Sequence, residues 1–136
     1  MTLAESLIAK HEGLRLKPYR DPVGKLTIGY GRNLDDIGIS QSEALVLLGN
    51  DIGWATKAAR RMFEKFDDLN GVRQAVLIDM AFNLGEARLG KFFKMIAAVK
   101  SGDFEKAADE MLSSKWAHQV GTRALENARL MRTGKE

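Results

Sequence analysis

Cysteine is absent from the 136 residues, and histidine and proline occur only twice each. Without a thiol there is no disulfide framework, no Cys-ligated zinc or iron–sulfur site and no cysteine nucleophile. His11 and His118 are too few for a histidine-rich metal site, and nothing in the sequence demands a metal or an organic cofactor. No apolar run approaches the roughly 20 residues that span a bilayer, so stable membrane insertion is not expected. The first ten residues lack the basic head, apolar stretch and small-residue cleavage site of a secretory signal, which predicts a product made in the cytoplasm. Dense Lys/Arg blocks are missing too, and with them any recognition helix or basic stripe. A nucleic-acid partner is not expected.

What is present is ordinary globular material, 45% hydrophobic and 29% charged, with a net charge of +3. A chain of this length buries a core without help from staples, and length and composition predict one domain, folded in two lobes; a monomer is expected, though composition does not set it. The mild positive charge leans towards anionic partners without specifying one.

Thr2-Leu3-Ala4-Glu5 is a capping box followed by Leu3, Leu7 and Ile8 at helical spacing, which predicts a helix over about 3–11 that stops near Gly13. The texture then changes. Residues 14–38 hold both prolines and four glycines between short Tyr/Thr/Ile/Leu runs. Asp21-Pro22-Val23-Gly24-Lys25 is turn chemistry, and residues 26–30 read as a strand, so a small β-hairpin lobe over about 13–39 is expected. Ser40-Gln41-Ser42-Glu43 opens a second capping box. Leu45, Leu48, Ile52, Ala55, Ala59, Met62 and Phe66 then step by threes and fours, predicting one long linking helix over about 41–66. Asn70 caps a third helix ending at Gly85, apolar nearly all round and therefore central to a bundle. Shorter helices over about 89–100, 104–113 and 122–131 follow, with Trp116 in a connecting piece. The expected class is α+β, mostly α, with the helical lobe formed by residues 1–12 and about 67–136.

Two carboxylates and a hydroxyl bracket the hairpin: Glu12 at the end of the first helix, Asp21 in the turn, and Thr27 in the strand beyond. Acid–base hydrolysis needs one carboxyl protonated, to donate to a leaving group, and another ionised. Glu12, at the helix end, is the expected donor, and Asp21, in a polar turn, the expected ionised partner. Spacing alone is weak, because a solvated Glu beside a turn-capping Asp is the commoner occurrence.

The string as a whole is more specific. His11-Glu12-Gly13-Leu14-Arg15-Leu16-Lys17-Pro18-Tyr19-Arg20-Asp21, then Gly24-Lys25-Leu26-Thr27-Ile28-Gly29-Tyr30-Gly31, closely resembles the catalytic segment of phage-type lysozymes, the T4 lysozyme-like endolysins of glycoside hydrolase family 24. The resemblance resumes at Val72-Arg73-Gln74-Ala75, runs through Phe82-Asn83-Leu84-Gly85-Glu86 and Lys115-Trp116 to Arg123, and ends at Arg132-Thr133-Gly134. Three separated motifs in order say more than one pattern. The stretch after Gly31 is shorter than in the longest family members, so a smaller β lobe with fewer subsites is expected.

The resemblance implies a lysozyme-like two-lobed fold and a muramidase that cuts the β-1,4 bond between N-acetylmuramic acid and N-acetylglucosamine in peptidoglycan, with inversion. It implies Glu12 as general acid, Asp21 as the carboxylate that positions water, and Thr27 as a hydroxyl that helps hold that water. Arg123 falls where the family places a basic partner for the acid. Asn83 and Phe82 fall at cleft-lining positions, though Phe82 on so apolar a helix reads more readily as core, and Asn83 competes with a capping role beside Gly85. Trp116 either shapes the cleft floor or fills the core, and Tyr30 and Arg32 could face glycan from the β lobe. Access to the wall through a pore made by a partner holin is a further implication. The rival readings are a lytic transglycosylase and a lysozyme-fold module that binds peptidoglycan without turnover. A basic protein approaching an anionic wall is helped by attraction that salt screens, so wall clearing is expected to fall steadily as ionic strength rises in a turbidity assay.

Overall fold

Thr2 Oγ1 accepts the Glu5 N–H at 3.0 Å while Glu5 Oε2 accepts the Thr2 N–H at 2.8 Å, and this reciprocal cap starts α1, Leu3–Glu12. Gly13, at φ +71°, ends the helix and turns the chain into a sheet. The computed structural model describes all 136 residues. Its fold is mostly helical, with one small antiparallel sheet of strands β1 (Arg15–Arg20), β2 (Leu26–Gly29) and β3 (Arg32–Asn33) in the order β1-β2-β3. The α+β expectation is met, and the hairpin carries a third short strand.

Register fixes the central strand on both sides. Thr27 lies opposite Tyr19 of β1 and Asn33 of β3, and Ile28 lies opposite Arg32. Pro18 sits on the edge strand β1, where the ladder slips between Arg15 and Tyr19 and a missing N–H is tolerated. The second predicted capping box also forms. Ser40 Oγ accepts the Glu43 N–H at 3.1 Å, Glu43 Oε1 accepts the Ser40 N–H at 2.9 Å, and α2 runs Gln41–Met62.

The chain divides into two compact units, Met1–Leu47 and Leu48–Glu136, with the boundary inside α2. In the first unit Thr27 is the one fully buried residue, and Leu16, Val23 and Ile37 are exposed. Polar bonds hold this unit together instead. Asp35 Oδ2 accepts the Leu26 N–H at 2.8 Å, Leu34 N–H donates to the Leu26 carbonyl at 2.7 Å, and Lys25 Nζ pairs with Asp36 at 3.1 Å. A sheet this small needs such fasteners, because three short strands bury little on their own.

The second unit has a conventional core. α3 (Gly71–Leu84) buries Val76, Leu77, Met80, Ala81 and Leu84, as its nearly uniform apolarity predicts. Around it come α4 (Glu86–Leu89), α5 (Phe93–Ser101), α6 (Phe104–Leu112), α7 (Lys115–Val120) and α8 (Thr122–Thr133), with α8 packed on α3 and α6. Arg73 fastens α3 to the end of α8. Its Nε donates to the Met131 carbonyl at 2.7 Å and its Nη2 to the Arg132 carbonyl at 3.0 Å, while the guanidinium lies 3.7 Å from the Phe104 ring centre. A cation at carbonyls left open by a helix end is favourable.

Three element boundaries differ from expectation. α2 stops at Met62, and Phe66 reaches the core from a 3₁₀ turn, Phe66–Asp68. Phe66 follows Met62 by four residues, the step that a continuing α-helix would also give, so the apolar stripe could not reveal the break. The first half of that stripe is open: Leu45, Leu48 and Ile52 are exposed, and continuous burial begins only at Ala55. The single helix expected over 89–100 is two, α4 and α5, parted at Gly90, where an added Cβ would stand 3.2 Å from the Glu86 carbonyl oxygen. Trp116 lies within α7 rather than in a connector.

Leu77 has no exposed surface, whereas Leu16 retains 80% of its own. Leu77→Ala is therefore expected to lower the unfolding free energy by about 2–5 kcal/mol, and Leu16→Ala by no more than about 0.5 kcal/mol, in urea denaturation.

Candidate active site

Glu12 is the last residue of α1 and is exposed. Its carboxyl group rests against the Cα of Gly31, close enough that a Cβ there would stand 2.9 Å from Oε2. Gly29, Tyr30 and Gly31 form the tight connection between the paired residues Ile28 and Arg32, so the helix end meets the tip of the β2–β3 hairpin.

Asp21 and Thr27 are built around one peptide segment. Asp21 Oδ1 accepts the Val23 N–H at 3.0 Å and the Lys25 N–H at 2.8 Å, an Asx turn closed by Gly24 at φ +84°. The Asp21 N–H and the Thr27 hydroxyl both donate to the Lys25 carbonyl, at 2.9 Å each. Lys25's main chain thus orients the carboxylate and the hydroxyl together. Thr27 spends its one proton on that carbonyl, so towards anything else its oxygen can only accept. One unit of the fold carries all three residues expected to do chemistry.

The other candidates receive different placements. Tyr30 is exposed at the hairpin tip. Arg32 is a brace: its Nη1 donates to Glu43 Oε1 at 2.8 Å and to the Gly38 carbonyl at 3.2 Å, tying β3 to the start of α2. The Arg32 guanidinium and the Ser40 cap hold the Glu43 carboxyl down at about 2. This brace, and not a free cation offered to glycan, is what the structure makes of Arg32.

In the second unit Trp116 is only 3% exposed, so its ring is core rather than an open stacking face. It meets Phe92 edge-on with centroids 6.3 Å apart, and its Nε1–H donates to Asn83 Oδ1 at 2.6 Å. A buried indole needs such an acceptor, which gives Asn83 a structural duty. The cap beside it is made by the Gly85 N–H to the Ala81 carbonyl without the Asn83 side chain. Trp116 also walls a groove of about 600 Å³ with Leu84, Phe92, Arg88, Lys91 and Lys94. Phe82 is 48% exposed, against the expectation of a core ring, because α3 turns its other faces inward. It lines a second groove of about 460 Å³ with Trp54, Asp51, Arg61 and Glu86.

Arg123 forms a two-pronged pair with Asp79, Nε to Oδ2 at 3.0 Å and Nη2 to Oδ1 at 2.8 Å, and Asn127 Nδ2 adds a bond to Oδ2 at 2.7 Å. Burial pushes the Asp79 carboxyl up, but the bonds from Arg123 and Asn127 outweigh it and hold the group below the usual range. Sequence reasoning missed Asp79, the pairing of Glu43 with Arg32 and the approach of Glu12 to Gly31. Asp79 had no signal beyond being the one acid on an apolar helix. Gly31 had the Gly29-Tyr30-Gly31 spacing, which marks a turn without saying what crosses it. No three His, Cys, Asp or Glu side chains are grouped to hold a metal ion.

A carboxyl at a helix end and, in the same unit, a second carboxylate and a hydroxyl fixed by shared backbone groups are the groups that hydrolysis of a glycosidic bond calls for, and the small sheet with its helical unit suits the lysozyme type of glycoside hydrolase. The chain belongs to the phage lysozyme family, whose model matches residues 9–132. It is 30% identical over 162 aligned positions to the pre-baseplate central spike protein Gp5 of Enterobacteria phage T4, covering 98% of this chain but 28% of that protein. A probable T4-type lysozyme of Dictyostelium discoideum is 25% identical over 159 positions, covering 96% of this chain and 94% of its own length. An endolysin of Acyrthosiphon pisum secondary endosymbiont phage 1 is 29% identical over 115 positions, covering 82% and 75%. The chain thus spans little more than a quarter of the spike protein. The first two alignments are longer than the chain's own 136 residues, so both relatives carry residues within the matched region that this chain lacks.

Glu43's depressed carboxyl stabilises the fold above its ordinary 4.5, and that contribution is lost as pH falls towards about 2. Arg32→Ala is expected to flatten this acid limb, measured as a smaller drop in melting temperature than wild type shows between pH 5 and about 2.

Proposed function

We propose that the chain is a muramidase that hydrolyses the β-1,4 bond between N-acetylmuramic acid and N-acetylglucosamine, with Glu12 as general acid and Asp21 and Thr27 handling the water. The observation that carries this reading is the Lys25 main chain, which bonds to both the Asp21 carboxylate and the Thr27 hydroxyl. Asp21 Oδ1 is taken up by two backbone donors, which leaves Oδ2 for a water. The Thr27 oxygen accepts from that same water and fixes its second hydrogen.

Glu12 gives its proton to the glycosidic oxygen as the bond to the anomeric carbon breaks, and charge develops on the sugar ring. The water adds to the anomeric carbon from the opposite face and loses a proton to Asp21. The product has inverted configuration, and exchange with solvent restores the two carboxyl groups. Peptidoglycan is the substrate that the family implies, and the net charge of +3 favours approach to an anionic wall. No helix is long and apolar enough to cross a membrane. The proposed reading includes access to the wall through a pore supplied by a partner holin, with the enzyme acting as a monomer.

Glu12→Gln keeps the shape of the side chain and removes the titrating oxygen. It is expected to abolish muropeptide release from purified peptidoglycan while the melting temperature stays near wild type. Clearing at the wild-type rate by that variant would overturn the proposal. Products ending in 1,6-anhydro-muramic acid would instead mark a transglycosylase, and wall binding without any release would mark a binding module. Proton NMR of fresh products should show the inverted anomer first.

A further inference from the structure

Nine glycines adopt positive φ, and most need only the backbone freedom that a missing Cβ allows. At Gly13, Gly24 and Gly29 an added Cβ would meet nothing within 4 Å. Gly31 is different. At φ +79° its missing Cβ would stand 2.9 Å from Glu12 Oε2, 3.0 Å from Cδ and 3.3 Å from Cγ. The whole end of the Glu12 side chain occupies the volume that any other residue at 31 would fill.

We propose that Gly31 is a positioning residue for Glu12, its bare Cα forming the seat on which the carboxyl group is held. The seat cannot retreat readily, because Gly31 lies in the three-residue connection between Ile28 and Arg32, which pair with each other. Arg32 is in turn anchored to Glu43 and to the Gly38 carbonyl. Glu12 is anchored from the other side by the last turn of α1, where Gly13 N–H reaches the Ala9 carbonyl at 2.9 Å. Two rigid elements therefore set the place of a flexible carboxyl, and the hairpin tip does so by leaving an atom out. A displacement near 1 Å of a proton donor costs on the order of 10²-fold in rate.

The inference rests on Glu12 being the proton donor, and Gly102 in the other unit supplies the control. Gly102 has nearly the same φ, +78°, and an Ala there meets no neighbour, so Gly102→Ala carries the backbone strain without the clash. Gly31→Ala is expected to lower kcat on peptidoglycan by about 10²-fold with KM nearly unchanged, whereas Gly102→Ala loses stability but keeps a kcat close to wild type. Melting temperature gives a second readout that needs no activity. Removing the carboxyl should relieve the conflict, so Glu12→Ala combined with Gly31→Ala should melt higher than Gly31→Ala alone, approaching Gly102→Ala. That double variant decides the matter if Gly31→Ala is too unstable to assay. Equal kcat for the two alanine variants, or no recovery of melting temperature in the double variant, overturns the seat. An active Glu12→Gln removes the proton-donor reading beneath it; an inactive Glu12→Gln beside a fully active Gly31→Ala removes the seat alone.

Discussion

A carboxyl group must share space with a stretch of backbone that has no side chain to give up. Glu12 ends a helix, Gly31 ends a hairpin connection, and the two meet at a distance that excludes a single extra carbon. The first unit is organised around that approach. The capping box at Thr2 sets where α1 begins, Gly13 sets where it stops, and the pairing of Ile28 with Arg32 sets where the hairpin tip stands. Each is a local device, and together they bring a helix terminus to a sheet without an apolar core between them.

That unit relies on polar fasteners to a degree unusual for a folded segment. Asp35, Asp36, Asn33 and the Arg32–Glu43 pair stitch strands, loop and helix start, and Thr27 alone is fully buried. Exposed ion pairs contribute little singly, so the arrangement works through hydrogen bonds to backbone and through caps rather than through net charge. The same economy governs the chemistry. One residue's peptide groups, those of Lys25, fix Asp21 and Thr27 together, so a carboxylate and a hydroxyl are oriented without a supporting shell of side chains. The helical unit works in the opposite way, with α3 at its centre and its polar side chains, Asn83, Asp79 and Arg73, each tied to a specific partner.

Much was legible from residues alone because the signals were local. Both capping boxes, the Asp21 turn, the helix stop at Gly13 and the core face of α3 depend on bonds within four residues or on helical periodicity, and these formed as expected. The boundary at Met62 was not legible, since Phe66 keeps the stripe's spacing while changing helix type. The exposure of Leu45, Leu48 and Ile52 was not legible either, because an apolar stripe announces what a helix could cover and not where cover begins.

Residue identity and local spacing fixed the elements, the turn that holds Asp21 and the chemical types available for catalysis. Partnership was settled elsewhere. Arg123 found Asp79 across 44 positions, Trp116 found Asn83 across 33, and Arg32 found Glu43 rather than solvent. Such pairings depend on how separate elements pack, and linear order carries no record of that distance. Gly31 shows the difference most plainly. Its spacing marks a turn, but that the space above it belongs to Glu12 is a consequence of the folded chain, since only packing brings a helix end to a hairpin tip.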